Sequence, residues 1–442
     1  MKKFVIITMG LLLLFSFACG GGTNPASPSL PTTPTITDPP VSAAKTWTIM
    51  VYLAADNDLE AFAQPDINEM KAANSTIYND VNIIVLRDLR GAGNTKLLKI
   101  TAGNEEELSS STLGIDKTLT NNEVNMGSKY TLDKFIRYCK TYFPSTYTML
   151  VIWNHGGGWR NAANPQPIKP KLTYHEVRAN FRDNISTTRS INSIDKMKPT
   201  NGRFETFKDA CWDENSSNAY LGNYDIYWSL IGNAVTIVGF DACLMGMIET
   251  AYEVRTVASY MIASEEVIPG GGWNYTKLLN NFNGYGTKSP QNLCKSAVDA
   301  YASEYATRAG CTLSAIDLSK VNALISALNN FSTALVSYID TQDKQFAIHD
   351  ILYNQTEDFF NIPGDNNIDL WDAANRIGAS GVCTTQAAAL KTAITNAVIN
   401  EWHHASGNPN AHGLSIYLLT VFWNDANSNG TIDAGELVSG HS

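Results

Sequence analysis

The 442-residue sequence predicts an α/β protein with a mainly parallel central sheet flanked by helices. Two observations carry that expectation. Apolar, β-rich runs alternate with stretches of helical period, as in a parallel sheet covered on both faces. Beyond the first twenty residues no run is apolar enough to span a bilayer, so the runs are expected to bury themselves in a folded core.

The amino-terminal end is expected to lie outside that core. Lys2 and Lys3 precede the apolar run FVIITMGLLLLFSFA, which is too short for an ordinary spanning helix and reads as a signal peptide over 1–18. Ser16 and Ala18 before Cys19 resemble a bacterial lipoprotein cleavage box, which would make Cys19 the lipidated first residue of the mature chain. A plain secretory signal is the alternative. Gly20 occupies the position where an Asp retains lipoproteins at the inner membrane of enteric bacteria. This favours the outer membrane or cell surface. Residues 20–45 hold six of the sixteen prolines and few large apolar side chains, so 19–45 is expected to be an extended tether.

Residues 46–420 are the expected folded domain. Strands are expected at 47–55, 81–89, 147–155, 234–242, 259–266, 312–318 and 412–419. Helices are expected at 58–73, 130–142, 246–256, 289–306, 319–340 and 384–402; in the first, Leu59, Phe62, Ile67 and Met70 share a face. A formal charge of −10 argues against a broad nucleic-acid surface. Besides Cys19 there are six cysteines without CxxC spacing, so structural zinc is not expected, and any disulfide pairing stays open. Residues 160–208 break the pattern, with ten of the 32 Lys and Arg against four acids and weak apolar periodicity. They read as a long solvated insertion.

Ligands of open parallel sheets sit beyond the carboxyl ends of the strands. Two apolar runs end there in reactive side chains: YTMLVIWN leads to His155 and three glycines, and AVTIVGFDA leads to Cys243. Glycines let the backbone turn and approach a substrate, and their N–H groups can stabilise an oxyanion. A thiol at a strand-to-helix turn is expected near a helix N-terminus, which favours thiolate, with an imidazole as general base and acid. Either residue alone is more often structural, but the two together favour catalysis.

The segments WTIMVYLAADNDLE (47–60), WNHGGGW (153–159), FDACLMGMIE (240–249), SEEVIPGGGW (264–273), TLSAIDLS (312–319) and HGLSIYL (412–418) resemble the clostripain family of cysteine peptidases, in the family's order. The resemblance implies a caspase-like α/β sandwich, shared with gingipains, legumain and caspases, and no organic cofactor. It implies a dyad of His155 and Cys243, with the N–H groups of Gly156 and Cys243 as oxyanion donors. It also implies protein or peptide substrates with Arg or Lys before the scissile bond, and links Asp241 to that pocket. Glu265 and Glu266 are further candidates for the pocket, while Asp241 has the plainer alternative of holding backbone groups.

Family members are often activated by self-cleavage between these two residues. Arg178, Arg182, Arg189, Lys196, Lys198 and Arg203 offer sites in the insertion, which as a plain surface loop would need no such role. Rival readings are a catalytically silent surface lipoprotein that binds protein or glycan, and a Cys hydrolase of other specificity.

Near the carboxyl end, in the segment 421–442, DANSNGTIDAGE (425–436) fits the EF-hand loop pattern. Its expected Ca²⁺ ligands are Asp425, Asn427, Asn429, the Thr431 carbonyl, Asp433 and Glu436. The adjacent His403 and His404 would point about 100° apart on a helix and are not expected to share a metal.

Overall fold

The computed structural model describes residues 36–158, 210–362 and 365–418. The signal segment, Cys19, most of the tether, the basic insertion with its six candidate cleavage residues, and the calcium loop with all its ligands lie outside the described residues. The end of the tether lies against the domain: Asp38 accepts from the Ser111 N–H at 2.8 Å, and the Ser42 N–H donates to the Tyr142 carbonyl at 2.8 Å.

Nine strands form one sheet. In spatial order they are β13 (Val398–His403), β10 (Thr312–Asp317), β9 (Ala258–Ala263), β8 (Val235–Asp241), β5 (Ser145–Trp153), β1 (Lys45–Ala55), β2 (Val81–Leu89), β3 (Lys96–Thr101) and β4 (Asn104–Leu108). The five from β9 to β2 run parallel, and antiparallel pairs close both sides.

Strand β1 illustrates why the centre is apolar throughout. Met50, Tyr52 and Ala54 enter the core on one face, and Trp47, Ile49, Val51 and Leu53 enter the core on the other. Helices Lys129–Tyr142, Ile248–Val254 and Thr384–Ala397 supply apolar faces to the first core, and helices Glu60–Ala72, Tyr275–Gly284 and Pro290–Glu304 to the second. Each large apolar side chain buried this way contributes roughly 1.5–3 kcal/mol. Among the described residues no helix is long and apolar enough to cross a membrane, and the six described cysteines are unpaired.

Most expected elements lie within about two residues of those observed. The helix expected over 384–402 stops at Ala397, and its last residues form β13, antiparallel to β10. Pairing along the sheet edge, with Trp402 against Tyr301 at 6.1 Å, overrides the helical pattern there. The strand expected at 412–419 is only β14 (Ser415–Tyr417), and it joins β11 (Asp358–Ile362) and β12 (Asp365–Asp369) in a separate sheet. It also reaches the turn after Cys243, where the Ser415 N–H donates to the Gly246 carbonyl at 2.8 Å.

Candidate active site

Strands β5 and β8 are neighbours, with Trp153 paired to Asp241. His155 and Cys243 each stand two residues further on, so the register brings both to the same carboxyl edge of the sheet. The Asn154 N–H continues the pairing to the Asp241 carbonyl at 3.3 Å. Gly156 then touches the Cys243 backbone: a Cβ there would lie 2.1 Å from the Cys243 carbonyl oxygen, which no side chain tolerates. Its backbone lies close enough to the Cys243 sulfur to oppose the rise of the thiol.

The His155 ring is held by two neighbours. Its Nε2 lies 2.6 Å from Asp58 Oδ1, and the Trp212 ring stands 6.0 Å away. That hydrogen bond to His155 holds the Asp58 carboxyl below its ordinary range. Asn57 and Asn154 fix the surrounding loops by donating to the Trp212 carbonyl at 2.8 and 3.1 Å. Asp58 follows β1 directly, which explains its place beside β5, the strand paired with β1.

Cys243 lies in a tight turn and is partly buried. Its sulfur accepts from the Ile268 N–H at 3.3 Å. Burial pushes the thiol up to about 12, opposed by the Ile268 and Gly156 N–H groups and reinforced by Glu266 and Asp241. The expectation of a thiolate favoured by a helix N-terminus therefore fails for this form: the next helix starts only at Ile248 and has seven residues. Leu244 adopts φ +63°, a conformation costing about 1 kcal/mol for a side-chain-bearing residue, and its N–H donates to the Glu266 carbonyl at 3.3 Å. Gly246 passes so close to the next strand end that a Cβ would sit 2.7 Å from the Glu265 nitrogen.

The three acids expected near a pocket have different surroundings. Asp241 is buried and accepts from the Trp273 N–H at 3.2 and 3.1 Å and from the Tyr275 hydroxyl at 2.9 Å. It does hold backbone, as the plainer alternative had it. Asp66, which accepts from Trp153 Nε1 at 2.6 Å, is buried close by, and burial and mutual repulsion push its carboxyl upward. Glu265 is buried where it accepts from the Gly413 N–H at 2.8 Å and lies near Asp369 of β12, whose charge adds to the upward push of burial on its carboxyl. Glu266 is partly exposed, and its Oε1 accepts from its neighbour, the Val267 N–H, at 2.8 Å.

Asp58, Asp66, Trp212 and Ile268 were not singled out from the sequence. Asp58 and Asp66 flank or lie within the first helical stretch, where acids are ordinary. Only the order of strands places them beside His155 and Asp241.

The fold is shared with solved C11 protease structures. A secreted C11 cysteine protease from Bacteroides thetaiotaomicron superposes with a TM-score of 0.58 at 16% identity, over 85% of this chain and 94% of that one. An inactive zymogen C11 protease from Parabacteroides distasonis gives 0.55 at 18% identity, over 85% and 93%. The chain belongs to the clostripain family, whose model matches residues 51–192 and 195–431. Clostripain of Hathewaya histolytica is 29% identical over 271 residues, 56% of this chain but only 44% of that protein's length.

Proposed function

We propose that the protein is a cysteine endopeptidase that uses Cys243 as nucleophile and His155 as general base and acid. The observation that carries this reading is the shared edge of β5 and β8, where equal register leads to both residues and Gly156 packs against the Cys243 backbone. Asp58 engages Nε2 and so leaves Nδ1 to exchange a proton with the thiol. As the sulfur attacks the peptide carbonyl, its proton passes to the imidazole and then to the leaving amine. Water next releases the acyl group. The Gly156 and Cys243 N–H groups stabilise the developing oxyanion.

Cleavage after Arg or Lys is the specificity that fits the buried Asp241 and Asp66 carboxyls, which a basic side chain would neutralise. Glu266, partly exposed and close enough to raise the Cys243 thiol, is the second candidate for that contact. Cuts within 160–208 would release an active form from a chain whose thiol is held neutral. Export with a lipid on Cys19, attachment to the outer membrane or cell surface, and Ca²⁺ bound by Asp425, Asn427, Asn429, Thr431, Asp433 and Glu436 complete the reading.

Purified full-length protein and Cys243→Ala, assayed on peptides varied before the scissile bond, test it. Turnover of Arg and Lys peptides by the first alone is expected. Equal behaviour of both proteins on every peptide would overturn the peptidase reading. Mass spectrometry of the same samples should find cuts after Lys or Arg in 160–208 that vanish in Cys243→Ala.

A further inference from the structure

The turn that carries Cys243 is held by two stretches far apart in sequence. Just beyond β9, the Ser264 carbonyl accepts from the Gly246 N–H at 2.7 Å, and the Glu266 carbonyl accepts from the Leu244 N–H at 3.3 Å. At the other end of Gly246, its carbonyl accepts from the Ser415 N–H at 2.8 Å and the Ser415 hydroxyl at 3.2 Å. Met247 and Ser415 form a parallel bridge there. Gly246 is thus anchored on one side to residues 264–266 and on the other to β14.

The Glu265 side chain joins these two stretches. It is 1% exposed, closed to a substrate, and its Oε2 accepts from the Gly413 N–H two residues before Ser415. Its own N–H donates to the Thr312 hydroxyl at 3.0 Å, and the Ser314 hydroxyl donates to the Gly413 carbonyl at 2.5 Å, so both ends of the link rest on β10. The surroundings of the carboxyl favour a proton on it. Oε1 has no hydrogen-bond partner, and the charges that act on Glu265 most are Asp369 of β12 and Glu401 of β13, both acids. Burial first, then Asp369, push its carboxyl well above the ordinary range. Basic groups close by are engaged elsewhere: His403 lies 3.0 Å from Glu401, His412 3.4 Å from Asp369, and Arg376 2.7 Å from Asp372. A buried anion without a partner is costly, whereas a neutral acid keeps its acceptor for Gly413 and gains an O–H on the side of Asp369.

We propose that Glu265, as an uncharged acid, is a positioning residue for Cys243: its bond to Gly413 locks β14 to residues 264–266 and so fixes Gly246 between them. For its effect on turnover this inference rests on the peptidase reading. Held in this way, the Cys243 sulfur and N–H keep their places relative to the substrate carbonyl, and a shift of about 1 Å there costs up to roughly a hundredfold in rate. Glu265 touches no reacting atom and acts only through the turn.

The test compares the full-length parent with Glu265→Gln and Glu265→Met, both neutral and close to Glu in volume. Gln offers an acceptor to Gly413 and a donor to Asp369, while Met fills the space without a strong acceptor. Circular dichroism and Tm establish that each variant folds. In Glu265→Met, kcat on Arg peptides should fall about tenfold with KM unchanged, because the Ser415 bonds to Gly246 remain, and Glu265→Gln should restore most of the loss. Alkylation of Cys243 by iodoacetamide, read by mass spectrometry, should be several-fold faster in Glu265→Met than in the parent, with Glu265→Gln close to the parent. Glu265→Met matching the parent in both readouts overturns the proposal. A folded Glu265→Gln with kcat and alkylation as altered as expected for Met overturns it too, whatever Glu265→Met does. A parent that cuts no peptide, with alkylation still separating Met from Gln, would overturn the peptidase reading alone and support the role of Glu265.

Discussion

Two groups of buried acids lie along the same edge of the sheet, and their partners set them apart. At Asp241, Trp273 N–H and the Tyr275 hydroxyl reach the carboxylate, and Trp153 Nε1 reaches its neighbour Asp66. At Asp56 and Asp88, Oδ1 of the first and Oδ2 of the second have no hydrogen-bond partner. Both groups are raised by burial, so charge count alone does not distinguish them. Directed donors hold the carboxylates of the first group in one orientation.

The largest effect that sharpens this contrast is expected from Asp241→Asn. It keeps the shape and an acceptor for Trp273 and Tyr275 but removes the charge. Loss of a buried charge partner is worth about 3 kcal/mol, so kcat/KM for Arg and Lys peptides should fall roughly a hundredfold. Peptides with a neutral residue at that position should change little, and an equal loss on all peptides would assign Asp241 a purely structural role.

Asp58→Asn comes next. It weakens the hold on His155 Nε2, and kcat is expected to fall about tenfold with KM unchanged. A change confined to KM would break the assignment of Asp58 as the positioning residue.

Asp66→Asn tests the first group through stability. A carboxyl raised in the folded state stabilises below its unfolded value near pH 4, and that contribution is lost as pH rises through the folded value. The variant should therefore gain about 1 kcal/mol over the parent at pH 8 and lose part of the parent's decline in Tm with rising pH. A parent curve as flat as the variant's would show that Asp66 is not raised.

The smallest effect belongs to Arg90→Ala. This half-exposed residue meets Glu214 at 2.9 Å. Surface pairs contribute at most about 1 kcal/mol, so the Tm should move only slightly.

Much of the central sheet was legible because a strand buried on both faces has to be apolar along its length, as in TWTIMVYLA. The antiparallel edges were less so. NEEEL in β4 is charged and carries no core pattern, and INEWH in β13 follows a helix without a break signal. At the site, His155, Gly156 and Cys243 could be found because each ends or follows an apolar run. Glu265 could not be separated from Glu266, since adjacent acids look alike until one is buried against Gly413 and Asp369.

The sequence by itself determined the parallel core, the two reactive residues at strand ends and the family motifs around them, since these rest on local pattern and order along the chain. Which strands lie side by side was decided only in the tertiary structure. That neighbourhood puts Asp58 on His155, Asp66 near Asp241, and Asp56 against Asp88. Burial, which depends on every element packed around a group, then decided that the Cys243 thiol is pushed up and that Asp56 Oδ1 and Asp88 Oδ2 lack a partner.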